Sequence, residues 1–179
     1  MTPVAQLYVV VGPSGAGKDT LIAEAILARP DIRLVRRVIT RPTEAGGEDF
    51  EGVMTPEFAA RAARGDFALT WEANGLHYGI PKVQLNHPGP VLFNGSRAAL
   101  PAALTAFPDL KVILVTAPIA VLAMRLAARG RETEAEVAQR LGRADFALPE
   151  GILAATVLNE GPVAAAVERL LAALQPIKA

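Results

Sequence analysis

Apolar positions along this chain fall into two kinds of run, and the two kinds alternate. Leu7-Tyr8-Val9-Val10-Val11 is continuous, rich in β-branched residues, and predicts a fully buried strand over 6–11. Shorter runs of the same kind predict strands at 35–39, 91–93, 111–115 and 155–158. Between them the apolar spacing turns helical, at 18–28, 98–106, 119–129, 134–147 and 163–174. Several of these helices carry their own punctuation. Thr133 and Glu136 have the spacing of a capping box, and Pro118 and Pro162 sit where a first helical turn accepts proline. Gly130 stands where a helix would stop. In the last helix Val163, Val167, Leu170, Leu171 and Leu174 share one face, a stripe for core packing. Strand and helix in alternation predict an α/β fold: a parallel sheet with helices on both faces.

Residues 40–90 break that rhythm. They hold turn clusters at Gly46-Gly47, Asn74-Gly75 and His87-Pro88-Gly89-Pro90, one short helix at 56–63, and strand-like pieces at 67–71 and 76–80. This segment is expected to be a small inserted subdomain that closes over a second substrate, within a single domain spanning 1–179.

The densest chemistry lies after the first strand. Gly12-Pro13-Ser14-Gly15-Ala16-Gly17-Lys18-Asp19-Thr20 carries the complete G-x-x-x-x-G-K spacing between a strand and a helix, the setting of a phosphate-binding P-loop. Glycines let consecutive N–H groups turn inward onto phosphate oxygens, and the helix N-terminus adds its dipole. Lys18 would reach the β- and γ-phosphates of a nucleotide as a point charge. The next position usually carries a hydroxyl that binds Mg²⁺; here it is Asp19, with Thr20 beside it. A carboxylate is a hard oxygen ligand, so Asp19 is a candidate for the metal, directly or through water. It would equally favour the helix dipole with no metal bound.

Composition narrows the rest. The 179 residues are 51% hydrophobic, enough for a sizeable core, and 18 basic residues balance 18 acidic ones. A net charge of zero argues against a general nucleic-acid or membrane-surface binder. Without cysteine, disulfides and thiolate catalysis are excluded. The first residues have neither a basic stretch nor a long apolar run, so no secretory leader is expected, and a cytoplasmic location is.

Three later segments narrow the reaction: Arg36-Arg37-Val38-Ile39-Thr40-Arg41-Pro42, Trp71-Glu72-Ala73-Asn74-Gly75-Leu76-His77-Tyr78-Gly79, and Met124-Arg125-Leu126-Ala127-Ala128-Arg129-Gly130-Arg131-Glu132 followed by Arg140 and Arg143. With the P-loop they resemble the guanylate-kinase-like branch of the P-loop kinases. Within it, the Asp after the P-loop Lys and Asn94-Gly95-Ser96-Arg97 are most similar to the ribose 1,5-bisphosphate phosphokinases. That resemblance implies ATP and Mg²⁺ as cofactors and a small phosphorylated sugar as substrate. The product would be 5-phosphoribosyl 1-diphosphate, as in phosphonate breakdown. It implies residues 12–20 for the nucleotide, and Lys18, Arg129 and Arg140 around the transferring phosphoryl group. It assigns Arg41, Glu72, Tyr78, Asn94 and Arg97 to the acceptor. An arginine lid would span about 125–145, with Arg125 in it. A monomer or small homo-oligomer is expected, with neither nucleic acid nor membrane as partner.

The departures from guanylate kinase point the same way. Its second arginine is Glu44 here, its phosphate-holding tyrosine is Phe50, and Ser96 stands near its acidic guanine reader. Glu72 points back, because guanylate kinases place a guanine-reading Glu there. Phosphorylation of GMP, and a non-catalytic binding module of the same fold, are therefore the alternatives.

Overall fold

The computed structural model describes residues 6–13, 15–42, 49–128, 130, 133, 135–136 and 147–174. Nine strands and five α-helices follow in order: β1 (Leu7–Val11), α1 (Lys18–Ala28), β2 (Arg33–Leu34), β3 (Val38–Ile39), β4 (Glu51–Gly52), α2 (Thr55–Ala63), β5 (Phe67–Ala73), β6 (Leu76–Pro81), β7 (Val91–Asn94), α3 (Leu100–Ala106), β8 (Lys111–Thr116), α4 (Ile119–Ala127), β9 (Ala155–Leu158) and α5 (Val163–Ala173), counted among the described residues. Five strands form a parallel sheet in the order β2-β7-β1-β8-β9, and four form a second sheet in the order β4-β3-β6-β5. The predicted helix over 134–147 lies almost wholly outside the described residues. Its start is visible as a capping box: the Thr133 N–H donates to Glu136 Oε2 at 3.3 Å, and the Glu136 N–H to Thr133 Oγ1 at 3.2 Å. No described helix is long and apolar enough to cross a membrane.

One expected strand, 35–39, is corrected. The run from Arg33 to Ile39 serves both sheets. Arg33 and Leu34 pair with β7, and the Val35 N–H still donates to the Leu92 carbonyl at 2.8 Å. At Arg36 the ladder stops, because the Gln84 side chain takes both backbone groups. The Arg36 N–H donates to its Oε1 at 2.6 Å, and its Nε2 donates to the Arg36 carbonyl at 2.8 Å. A side-chain amide has replaced a neighbouring strand, and two residues later the chain joins the other sheet.

The contacts divide the chain into two compact units. The first comprises residues 1–9 and 29–111. It holds the four-stranded sheet, where β3 runs parallel to β4 and antiparallel to β6, and β6 runs antiparallel to β5. The β5–β6 hairpin turns on Asn74 and Gly75, with φ of 53° and 75°. Positive φ at both central residues is the turn that matches strand twist, and asparagine followed by glycine is its least strained pair. Every residue of β7 is buried. Phe93, Leu92, Ile80 and Leu100 form the centre of this core.

The second unit comprises residues 10–28 and 112–179. Here β8 runs parallel to β9, α1 packs on α5, and α5 packs on β9. Leu21, Ile22, Ile113, Val115, Leu122 and Leu170 fill its interior. Val167 and Leu174 of the predicted stripe are buried with Leu170, whereas Val163, at the exposed start of α5, is not.

Candidate active site

The glycine-rich loop leaves β1 and enters α1 as the spacing requires. Gly15 and Gly17 both have φ of 84°, where an L side chain is strained. Gly12 is needed for a different reason: a Cβ there would run into the backbone carbonyl of Val115 on β8. The Ala16 N–H closes the turn on the Pro13 carbonyl at 3.2 Å, and the Leu21 N–H reaches the Gly17 carbonyl at 3.0 Å. The result is a concavity of about 300 Å³ lined by Pro13 and residues 15–20. Lys18 Nζ donates to the Gly12 carbonyl at 2.9 Å, which lays the ammonium along its own loop. Ser14 lies outside the described residues.

Asp19 and Thr20 are exposed on the first turn of α1, at the rim of this concavity. Among the described residues no three His, Asp or Glu side chains cluster as a metal cage. One carboxylate and one hydroxyl beside a phosphate-binding loop are the donor set of a site where Mg²⁺ takes its other ligands from phosphate and water. The residues present therefore fit the metal.

Two further side chains brace the loop from beneath, and the motif does not contain them. Asn159, immediately after β9, is buried; its amide nitrogen donates to the Ala16 carbonyl at 2.7 Å, and its own N–H to the Thr116 carbonyl at 2.7 Å. Its Oδ1 is buried without a partner among the described residues. A Cβ on Gly17 would collide with this amide. Arg125 on α4 donates to the Gly15 carbonyl at 3.1 Å and to the Asn159 carbonyl at 3.4 Å. Arg125 thus holds the phosphate loop, where the sequence placed it in the lid. Arg129 and Arg140, expected in a lid, lie outside the described residues.

The expected acceptor residues all fall in the first unit. Thr40 is half-buried and structural: its Oγ1 accepts from the His77 N–H at 2.9 Å, and its own N–H donates to the His77 carbonyl at 3.1 Å. Arg41, next along, lays its guanidinium 5.2 Å from the centre of the buried Phe50 ring. Tyr78 is paired across the hairpin with Trp71, the rings parallel within 4° and 5.2 Å apart. Trp71 is buried. Asn94 is buried at the end of β7, and Arg97 is exposed on the 3-10 turn that follows. Glu72 is exposed on β5 opposite His77, in the position of a solvated strand carboxylate.

Arg37 is buried at 8% exposure. Its guanidinium donates to the Asn94 carbonyl at 3.1 Å and sits 5.0 Å from the centre of the Tyr78 ring. The same unit is closed on another side by an ion-pair group, in which Arg61 of α2 contacts Glu51 of β4 at 2.7 Å and Glu57 at 2.8 Å. The hydrogen bond from Arg61 holds the Glu51 carboxyl below the usual carboxylate range.

A strand, a glycine-rich loop and a helix with an invading lysine, in a parallel five-stranded sheet, define a P-loop kinase core. No protein-family model matches the chain. Among solved structures it is similar to a guanylate kinase from Anaplasma phagocytophilum, with a TM-score of 0.66 and 16% identity over 97% of this chain and 86% of that one. It is also similar to a gluconokinase from Sinorhizobium meliloti 1021, with a TM-score of 0.51 and 18% identity over 96% of this chain and 93% of that one. At such identities these likenesses define the fold alone. Sequence relatives are nearer. The ribose 1,5-bisphosphate phosphokinase PhnN of Ruegeria sp. (strain TM1040) is 49% identical over 174 residues, covering 95% of this chain and 92% of the relative. That of Pseudomonas fluorescens (strain SBW25) is 46% identical, covering 94% of each. A bifunctional ribose 1,5-bisphosphokinase-thymidine phosphorylase of Cupriavidus necator is 44% identical over 98% of this chain, which spans 30% of that longer protein. The chain belongs to the ribose 1,5-bisphosphate phosphokinase family.

Proposed function

We propose that this protein transfers the γ-phosphoryl group of ATP to the C1 phosphate of ribose 1,5-bisphosphate, giving 5-phosphoribosyl 1-diphosphate and ADP. The observation that carries the reading is 49% identity along nearly the whole chain to a kinase of that name, together with an intact phosphate loop. An oxygen of the C1 phosphate bonds to the γ-phosphorus as the bond to the β-phosphate oxygen breaks. The nucleophile is already ionised at neutral pH, so no general base is required. The difficulty is electrostatic, since two polyanions must meet, and catalysis rests on positioning and on neutralising equatorial charge.

Lys18 and the N–H groups of residues 12–20 hold the β- and γ-phosphates in this reading. Asp19 holds Mg²⁺, directly or through water, and the metal, when bound, neutralises phosphate charge. Arg129 and Arg140 cover the transferring group as part of a lid over about 125–145, by resemblance to the family. Arg41, Tyr78, Asn94 and Arg97 bind the acceptor, in a subdomain over about 40–90. Closure excludes water, which would compete as acceptor. Glu72, the residue that points to GMP, is exposed on β5, and the choice of acceptor in the assay below decides between sugar and GMP. The small-molecule reading places the protein in the cytoplasm, as a monomer or small homo-oligomer.

The test is ADP release with Mg²⁺, ATP and either ribose 1,5-bisphosphate or GMP, with the sugar product identified by mass. Turnover of the bisphosphate alone is the expected result. Turnover of GMP alone would overturn the substrate, and ATP binding with neither turnover would overturn both kinases.

A further inference from the structure

The mechanism above leaves one buried charge without a task. Arg37 lies just before β3, and burying a guanidinium is costly where an apolar side chain of similar volume would pack as well. Its surroundings show what it holds. In the register of β3 and β6, Ile39 is opposite Tyr78 and Val38 opposite Gly79, so Arg37 and Tyr78 are diagonal neighbours on one face, within reach of a long side chain. The guanidinium lies over the Tyr78 ring at 5.0 Å, and Trp71 stacks on the same ring at 5.2 Å from β5, the strand on the other side of β6 from β3. From the same head group a hydrogen bond runs to the Asn94 carbonyl at 3.1 Å, which ties β3 of one sheet to the end of β7 in the other. One side chain therefore fixes two of the residues assigned above to the acceptor.

We propose that Arg37 is the positioning residue of the acceptor site: it holds the Tyr78 ring beside Trp71 and anchors the backbone at Asn94, and so sets the geometry in which those residues meet the acceptor. The inference rests on the acceptor assignment made under the proposed function. A planar fork is needed to cover a ring and hydrogen-bond a carbonyl together, so lysine cannot replace it although it keeps the charge.

The chain has a single tryptophan, so Trp71 emission reports this stack directly. In the wild type, titration with ribose 1,5-bisphosphate should shift that emission with the same midpoint as binding. Arg37→Lys should raise the acceptor KM roughly tenfold and Arg37→Gln roughly a hundredfold, with the KM for ATP changed less than about twofold. Both should blunt the emission change, and Arg37→Lys should recover more activity than Arg37→Gln. Folded variants with a wild-type acceptor KM would overturn the proposal, as would equal losses for both substrates, which mark a merely structural residue. Should neither variant fold, a wild-type titration that leaves Trp71 emission unchanged overturns it alone. Wild-type protein inactive on ribose 1,5-bisphosphate would instead overturn the substrate assignment, so the two failures are distinct.

Discussion

Lys18 and Gly12 show how differently neighbouring positions of one loop carry their constraint. Lys18 donates to the Gly12 carbonyl at the edge of a solvated concavity, and truncating it removes charge from that concavity. Lys18→Ala should therefore fold like wild type, with an unchanged circular dichroism spectrum, and lose at least about a hundredfold in kcat, the cost of one missing charge stabiliser. Gly12→Ala is the reverse case. Its added methyl meets the Val115 backbone, which cannot yield as a flexible side chain would, so this variant should lose about 1–3 kcal/mol in a urea titration before any assay is run. The motif named both residues by their spacing, although the constraint on Gly12 comes from Val115, far along the chain. It could not name Asn159, whose partner Ala16 is 143 positions away. The available signal was weaker: a polar residue directly after a strand of an open α/β sheet, where ligands bind.

At the scale of elements, strands and helices were legible wherever a run answered only to its own period. The run at 33–39 was not, because Gln84, 48 positions on, interrupts it at Arg36. Of the arginines from which a lid was expected, Arg125 braces the phosphate loop together with Asn159. Removing the Asn159 amide leaves the Ala16 carbonyl buried without its donor. Asn159→Ala should thus cost about 1–3 kcal/mol and raise the KM for ATP, while the acceptor KM holds. The pairing of β4 with α2 carries a pH signature. The Arg61 hydrogen bond keeps Glu51 ionised below its ordinary value of 4.5. That contribution is fully present above pH 4.5 and is lost as pH falls through the depressed native value. The pair is half-exposed, so its worth is about 0.5 kcal/mol. Urea midpoints followed from pH 7 downward should fall less steeply for Glu51→Gln than for wild type.

Across the whole molecule the net charge is zero, yet the substrates together are strongly anionic. The cations proposed to serve them are concentrated in short segments, Lys18 in one compact unit and Arg41 in the other. Local concentration of charge makes the affinity for polyanions dependent on salt without making the protein a general nucleic-acid binder. Ligand linkage gives a direct readout. Mg²⁺-ATP at a hundred times its Kd should stabilise the fold by roughly 2.7 kcal/mol, a Tm rise of roughly 5–10 °C for a chain of this size. Lys18→Ala should lose most of that rise, and GMP should produce none.

The two-residue turn at Asn74-Gly75 sets a rule for how this sequence can change length. Both turn residues are already at positive φ, and the strands they join pair residue for residue from Ala73 and Leu76 outward. An insertion or deletion of one residue there would reverse the inside and outside of β6, turning Tyr78 off Trp71 and Arg37 at a stroke. Point substitutions along these strands can accumulate one at a time, whereas a single-codon change in the turn's length would undo the proposed acceptor site in one step.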